Sequence, residues 1–283
     1  MAATALLSQC IDYAGLFPPA SLDVQKTIEN YSSYRAGPRA WALGRLILPA
    51  GRFVEFAETD PTHAAELPMA VLLSADFEAE LHRATNCGVA IEVVECKALP
   101  LDQITAVRDR LPLSTTIYFE VPVDSNPQAS IAAIADAGGR AKIRTGGITP
   151  GAIPSVSDVA RFLSCCVQYR VPFKATAGLH HPIRAVNTLT YAADSDRAMM
   201  HGFVNVILAT AVLANGEDFS EASALLEDTC PENFALEGEQ ARWRDWSFRA
   251  KQIADVREKF MVSFGSCSFT EPLDEMNAVG WLP

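Results

Sequence analysis

The chain has 283 residues, a formal net charge of −11 and 49% hydrophobic residues, which suits one α/β domain with a substantial core. The acidic balance argues against nucleic-acid binding, and the most apolar stretch, residues 202–213, is too short to span a membrane. Seven cysteines without a CxxC pair and a start without secretory features predict a reduced, cytoplasmic protein.

The N-terminal half alternates between short β-like runs and amphipathic stretches. A helix is predicted from the Ser21-Leu22-Asp23 sequence to Tyr34, after an ordered turn at 12–19. Strands are predicted at 43–49, 67–74, 88–96, 115–123, 140–146 and 171–178, with helices at 76–85, 101–111, 127–137 and 157–169. This alternation indicates parallel strands joined by helices, in an open sheet or, as we expect, a TIM-like (β/α) barrel.

The pattern changes after residue 186. We predict a helix at 199–215, a hairpin at 234–248 that turns at Glu237-Gly238-Glu239, a helix at 249–259 and a strand at 260–269. Seven strands result, and an eighth would come from the N-terminal turn or from 202–208. We therefore expect a single domain, 1–283, with the main repeats at 38–186 and a helical and hairpin part at 187–283 that completes an irregular or closed barrel.

The ends of two predicted strands have similar sequences, and each of these segments begins with a lysine. They are Lys142-Ile143-Arg144-Thr145-Gly146 and Lys174-Ala175-Thr176-Ala177-Gly178. Residues 140–184 contain seven Lys or Arg and one acid, Asp158. Lysines inside apolar strands are costly to bury, and alternation places Lys142 and Arg144 on one face. The pattern predicts a pocket for a carboxylate or phosphate, although pairing of each lysine with an outer-helix carboxylate would also explain it.

Polar and glycine-rich turns follow these strands and the last one. Gly146-Gly147 would free backbone N–H groups for an anion, or would form a plain turn. Cys267 would be a nucleophile only with a histidine, which spacing does not assign. The predicted anion ligands are Arg144, Thr145, Gly146, Gly147, His181, Arg184, Ser266, Cys267 and Ser268.

Proton-transfer groups are predicted nearby. Glu120 lies in an apolar run, which indicates either a catalytic acid or a salt bridge to Lys142 or Arg144. His180 and His181 follow the second lysine strand and point to opposite sides, so one is expected to enter the pocket and act as acid or base. With His201 and a carboxylate one of them could bind a divalent metal, but HxH and HExxH spacings are absent, and we predict no cofactor.

The two lysine segments resemble those of Schiff-base barrel aldolases of the deoxyribose-phosphate aldolase type. In that family a Lys-x-Ser-Thr-Gly strand carries the imine-forming lysine, and the next strand carries a second lysine before a Gly-Gly pair. The resemblance implies a TIM barrel in which Lys142 forms the imine and Lys174 assists. Arg144 stands where the family has serine, and Ala177-Gly178 replaces the Gly-Gly pair.

The leading hypothesis is therefore a carbon–carbon lyase acting on a small phosphorylated or carboxylated carbonyl compound, with Lys142, Lys174, Glu120 and His180 as catalytic residues. One alternative is a non-covalent decarboxylase, isomerase or phosphoribosyl-type barrel enzyme, with or without a metal. Another is a non-catalytic protein that binds an anionic metabolite. A small anionic substrate and a homo-oligomer are the expected partners, without nucleic acid or membrane.

Overall fold

A computed structural model describes residues 1–61, 66–74, 79–80, 82–83, 91–123, 126–216 and 218–282. The predicted helix at 76–85 and the start of the predicted strand at 88–96 lie largely outside the described residues. No helix in the described ranges combines the length and the apolarity needed to cross a membrane.

Eight parallel strands close into a barrel in the order β1-β13-β7-β6-β5-β4-β3-β2. They are β1 Ile11–Tyr13, β2 Leu43–Pro49, β3 Met69–Leu72, β4 Val93–Cys96, β5 Thr116–Glu120, β6 Arg140–Arg144, β7 Phe173–Thr176 and β13 Met261–Ser266. The TIM-like barrel predicted from the alternating pattern is thus confirmed, and it is complete.

The described α-helices cover the outside of the barrel or the C-terminal part. They are α1 Ala2–Leu7, α2 Val24–Ala36, α3 Phe53–Thr59, α4 Leu101–Asp109, α5 Gln128–Asp136, α6 Val156–Tyr169, α7 Phe203–Ala214, α8 Phe219–Glu227, α9 Ala250–Lys259 and α10 Thr270–Ala278. Short 3₁₀ turns occupy Ala40–Ala42, Ala50–Arg52, Pro150–Ala152 and Pro231–Asn233.

Local capping residues fix several helix starts. Asp23 accepts a hydrogen bond from the backbone of Lys26 at 2.7 Å, which starts α2 where the sequence predicts it. Ser155 and Asp158 form a reciprocal capping box at the start of α6. Arg170, with φ of 54°, ends α6 and turns the chain into β7.

The eighth strand comes from the N-terminal turn, the first of the two predicted sources. β1 pairs with β13 on one side and β2 on the other, so that it closes the barrel. The other predicted source, 202–208, lies almost entirely in α7, Phe203–Ala214, a helix that is buried on nearly every side and mostly apolar, with Asn205 and Thr210 as its polar residues.

The C-terminal part differs in detail from the sequence expectation. The predicted hairpin at 234–248 is confirmed, and a third strand extends it to the sheet β10 Phe234–Glu237, β11 Gln240–Trp243 and β12 Trp246–Arg249. The helix expected from residue 199 begins at Phe203, because residues 199 and 200 belong to an antiparallel ribbon, β8 Ala185–Thr188 and β9 Arg197–Met200.

Two layers of side chains fill the barrel. Ile47, Ala70, Val93 and Tyr118 form an apolar cluster inside it, against which Phe17 of the N-terminal turn packs. A charged layer includes the two lysines, which are adjacent in register on β6 and β7. The larger apolar core lies between the barrel and the helices, so the charged groups are enclosed by rigid elements.

Candidate active site

Four buried charges meet inside the barrel, each from a different strand. Asp12 lies on β1, Glu95 on β4, Lys142 on β6 and Lys174 on β7. Each of these side chains is at most 5% exposed. Buried charges require partners, and here each ammonium group contacts two carboxylates. The two lysines are therefore linked through Glu95, and their partners are barrel carboxylates, not outer-helix ones.

Lys174 is held firmly by two of these carboxylates. Its Nζ lies 2.5 Å from Asp12 Oδ2 and 2.6 Å from Glu95 Oε1, and 5.6 Å from the centre of the Tyr118 ring. Burial lowers the pKa of Lys174, but Asp12 and Glu95 outweigh burial and raise that pKa well above its ordinary value. Lys174 is accordingly a permanent cation with little freedom to move.

Lys142 has looser contacts and an open side. Its Nζ lies 3.4 Å from Glu95 Oε2 and 3.2 Å from Glu120 Oε2. It lines a cavity of about 260 Å³ together with Glu120, Arg144, His180 and Cys267, all predicted as site residues. The cavity lies at the carboxyl ends of the strands, where α/β barrels place their reactive groups.

Glu95 connects the two lysines, because each of its carboxylate oxygens contacts one of them. Burial raises the pKa of Glu95, but the two ammonium groups outweigh burial and lower it below its ordinary value. Sequence alone does not single out Glu95 or Asp12 as site residues. The available signal is an acid near the end of an apolar strand, which Glu95 shares with Glu120.

A second group of polar side chains lies on the wall of the same cavity. His180 Nδ1 contacts Glu271 Oε2 at 2.8 Å, and His180 Nε2 faces the thiol of Cys267 at 3.9 Å. Tyr191 donates to Glu271 at 3.4 Å and lies 3.6 Å from Cys267 Sγ. The structure thus supplies the histidine that spacing could not assign to Cys267.

These contacts shift two ionisable groups toward an ion pair. Burial raises the pKa of Cys267, but the hydrogen bond and the charge of His180 lower it below its ordinary value. Burial lowers the pKa of His180, but Cys267 and Glu271 raise it to about 9. Both shifts favour a thiolate facing an imidazolium over the neutral thiol and imidazole.

Contacts between the loops after β6 and β7 explain the residue types of the Thr145-Gly146-Gly147 turn. The Thr145 hydroxyl donates to the Ala177 carbonyl at 2.6 Å, which ties the ends of β6 and β7 together. A side chain at Gly146 would lie 3.1 Å from the Gly178 backbone, so the two loops need glycine to approach. Neither Gly146 nor Gly147 has the left-handed φ that an anion nest uses. Gly147 nevertheless lines the cavity.

The serines beside Cys267 hold neighbouring groups in place. The Ser266 hydroxyl donates to the Ser268 carbonyl at 2.6 Å and lies 3.3 Å from His180 Nδ1. The Ser268 hydroxyl accepts from the backbone of Glu271 at 3.1 Å, at the start of α10. These contacts orient His180 and Glu271, and an anion cradle at Ser266, Cys267 and Ser268 stays a prediction.

The other predicted ligands lie away from this cavity. His181 lines a neighbouring cavity together with His180 and Glu271, and its Nδ1 lies 2.7 Å from Glu275 Oε1. Arg184 Nη1 lies 3.2 Å from His201 Nδ1, and burial lowers the pKa of Arg184. Adjacent residues in an extended segment alternate in direction, which explains why His180 enters the cavity and His181 does not.

Potential metal ligands lie together at the outer edge of the site. One atom each of His181, Glu271 and Glu275 lie within 4.8 Å of one another. Glu271 is paired with His180 and Glu275 with His181. Hydrogen bonding accounts for this grouping, and the expectation that the protein uses no cofactor stays a prediction.

The cationic residues at 140–184 are divided between different parts of the molecule. Arg140 begins β6 and donates to the Tyr118 hydroxyl at 3.0 Å, at the amino-end mouth of the barrel. A larger cavity of about 470 Å³ opens there. Arg161 lies on α6 and pairs with Asp158. Of the cationic residues at 140–184, only Lys142 and Arg144 line the cavity at the carboxyl ends of the strands.

The fold and this cluster define a closed parallel α/β barrel whose buried lysine–carboxylate centre meets one cavity through Asp12 and Lys174 and another through Glu95 and Lys142. The chain matches no protein family model, no curated protein and no solved structure.

Proposed function

We propose that this protein is a carbon–carbon lyase of the aldolase type, which forms an imine between Lys142 and a small anionic carbonyl compound. The observation that carries the proposal is the unequal environment of the two lysines. Lys174 is fixed between two carboxylates, whereas Lys142 faces the cavity. A nucleophilic amine needs access to the substrate, which the cavity beside Lys142 provides.

Each step of such a reaction has a group within reach. The Lys142 amine adds to the substrate carbonyl, and the carbinolamine loses water to give an iminium ion. The iminium takes up the electron pair of the breaking carbon–carbon bond while a base removes the proton of the β-hydroxyl. Glu120, 3.2 Å from Lys142, suits proton transfer at the nitrogen, and His180 lines the same cavity.

The cavity entrance favours a substrate with an anionic group. Arg144 is exposed at the end of β6, and Lys97 lies on the same cavity after β4. Aliphatic and aromatic side chains, including Ile47, Leu72 and Phe17, form the rest of the lining. A short carbon chain with a terminal carboxylate or phosphate therefore fits this combination.

Reductive trapping tests the imine. The protein is incubated with pyruvate, glyceraldehyde 3-phosphate or acetaldehyde, reduced with borohydride, and mapped by peptide mass spectrometry. We expect a stable adduct on Lys142 and none in Lys142→Arg, which keeps the charge. The matched variant Lys174→Arg should still be labelled on Lys142. An adduct on Lys174 would reverse the two roles, and the absence of any adduct despite measured cleavage would exclude the imine mechanism.

A further inference from the structure

The cavity has a second reactive side chain that the lysine chemistry does not use. Cys267 lies at the end of β13, directly after Ser266, and its thiol lines the cavity shared with Lys142. His180 Nε2 faces the sulfur at 3.9 Å, and the opposite ring nitrogen contacts Glu271 at 2.8 Å. Nucleophile, base and orienting carboxylate are thus arranged in sequence, as in enzymes with an activated cysteine.

We propose that Cys267, His180 and Glu271 form a nucleophilic triad whose thiolate binds the carbonyl carbon of small aldehydes covalently and reversibly. The sulfur adds to the carbonyl carbon, and the π electrons of the C=O bond move to oxygen. That oxygen takes the Nε2 proton of His180, which gives a thiohemiacetal. The reverse steps release the aldehyde, so the reaction needs no oxidant or second reactant, and it does not depend on an imine at Lys142.

The surroundings of the sulfur support an anion. His180 follows β7, Tyr191 comes from the loop between β8 and β9, and the Ala20 backbone N–H faces the thiol. Glu271 is hydrogen-bonded to the far side of His180, His181 acts on Glu271 through its charge, and Tyr13 on β1 is a further ionisable neighbour of the sulfur. The polar groups around the sulfur thus come from separate segments of the chain, which indicates a built site, unlike a cysteine buried only as a small apolar residue.

Another cysteine of the chain gives an internal reference. Cys230 is exposed, and its thiol donates to Glu232 at 2.9 Å. That hydrogen bond raises the pKa of Cys230, so its thiolate is scarce at mildly acidic pH. Accessibility alone therefore predicts that Cys230 reacts first, whereas the triad predicts that Cys267 does.

Alkylation with iodoacetamide tests the thiolate. Both cysteines are followed by peptide mass spectrometry in the same samples from about pH 5.5 to 9. At about pH 6 we expect Cys267 to react at least about tenfold faster than Cys230. His180→Gln should remove this preference, and His181→Gln, at the neighbouring histidine whose Nδ1 contacts Glu275, should keep it. Equal or slower labelling of Cys267 in the unaltered chain, or an unchanged rate in a folded His180→Gln protein, would overturn the triad.

Competition with propanal tests the carbonyl adduct. Propanal should slow alkylation of Cys267, and dilution should restore the rate. The same protection should appear in Lys142→Arg, which cannot form an imine at that position. Protection that disappears in Lys142→Arg, or no protection at all, would overturn aldehyde capture by the sulfur. Failure of borohydride trapping at Lys142 would leave these results unaffected, so the two proposals are tested separately.

Discussion

Glu95 is the residue that gives the two lysines different properties. One carboxylate oxygen lies 2.6 Å from Lys174 and the other 3.4 Å from Lys142. Because the side chain is only 3% exposed, water screens these interactions little. The carboxylate therefore contacts two buried positive charges at once, and its loss would leave each ammonium group with one carboxylate partner, Glu120 for Lys142 and Asp12 for Lys174.

Glu95→Gln should lower the free energy of unfolding by about 3–5 kcal/mol, since it removes one partner from a buried ion-pair network. Urea denaturation at neutral pH measures the loss. Glu92→Gln is the matched control, because Glu92 precedes the same strand and pairs with Arg45 while 70% exposed. The control should cost less than about 1 kcal/mol. Equal losses in the two variants would contradict a special role for Glu95.

The residues of the site were predictable from sequence to different extents. Lys142, Glu120 and His180 are recognisable because each interrupts or follows an apolar strand, a pattern that reads directly along the chain. Glu271 and Tyr191 are not recognisable in this way. They lie on α10 and on the loop before β9, and only the folded chain brings them into contact with His180 and Cys267. Patterns along one strand cannot encode contacts between segments so far apart.

The loops after β6 and β7 form one element of the site. Gly178 has φ of +72°, and a side chain there would lie 2.9 Å from the Gly146 Cα. Ala177, with φ of +60°, already accepts an unfavourable backbone conformation beside it. The close approach sets the direction in which the chain leaves β7, and His180 follows two residues later.

Gly178→Ala should destabilise the protein by about 1–3 kcal/mol, because alanine disfavours this φ and its side chain meets backbone. It should also slow alkylation of Cys267, since His180 would be displaced. Gly151→Ala is the control: no atom lies within 4 Å of the added carbon, and its φ is not left-handed. The free energy of unfolding of that variant should lie within about 1 kcal/mol of the value for the unaltered chain. If Cys267 is alkylated at the same rate in both variants, the geometry of these loops does not control the position of His180.

Strand prediction succeeded where a strand is an apolar run and failed where it is short. β2, β5 and β6 begin and end within a few residues of their predicted limits, because buried parallel strands have continuous apolar sequences. β1 has only three residues, one of them Asp12, and is too short to show an alternation of apolar and polar residues. The β8–β9 ribbon is partly exposed, and its pattern does not differ from that of a loop.

Closure of the barrel depends on joining the two ends of the chain. β1 and β13 are neighbours in the barrel although they lie at opposite ends of the sequence. Arg257 on α9 is buried beneath this junction and donates to carbonyl groups on both sides of it. Its partners are the carbonyls of Leu6 and Ser8 before β1, and of Met261 and Val262 in β13. One guanidinium therefore satisfies backbone acceptors from both ends of the molecule.

Arg257→Met should lower the free energy of unfolding by about 3 kcal/mol or more, because it leaves buried carbonyl groups without donors while retaining the apolar stem. Urea denaturation measures the loss. Since the N-terminal segment would lose its anchor, limited proteolysis should cut before β1 sooner than elsewhere. Lys251→Met on the same helix is the control: Lys251 is 84% exposed and pairs only with Asp255. That variant should cost less than about 0.5 kcal/mol, and an equal loss in both variants would show that the junction does not depend on the guanidinium.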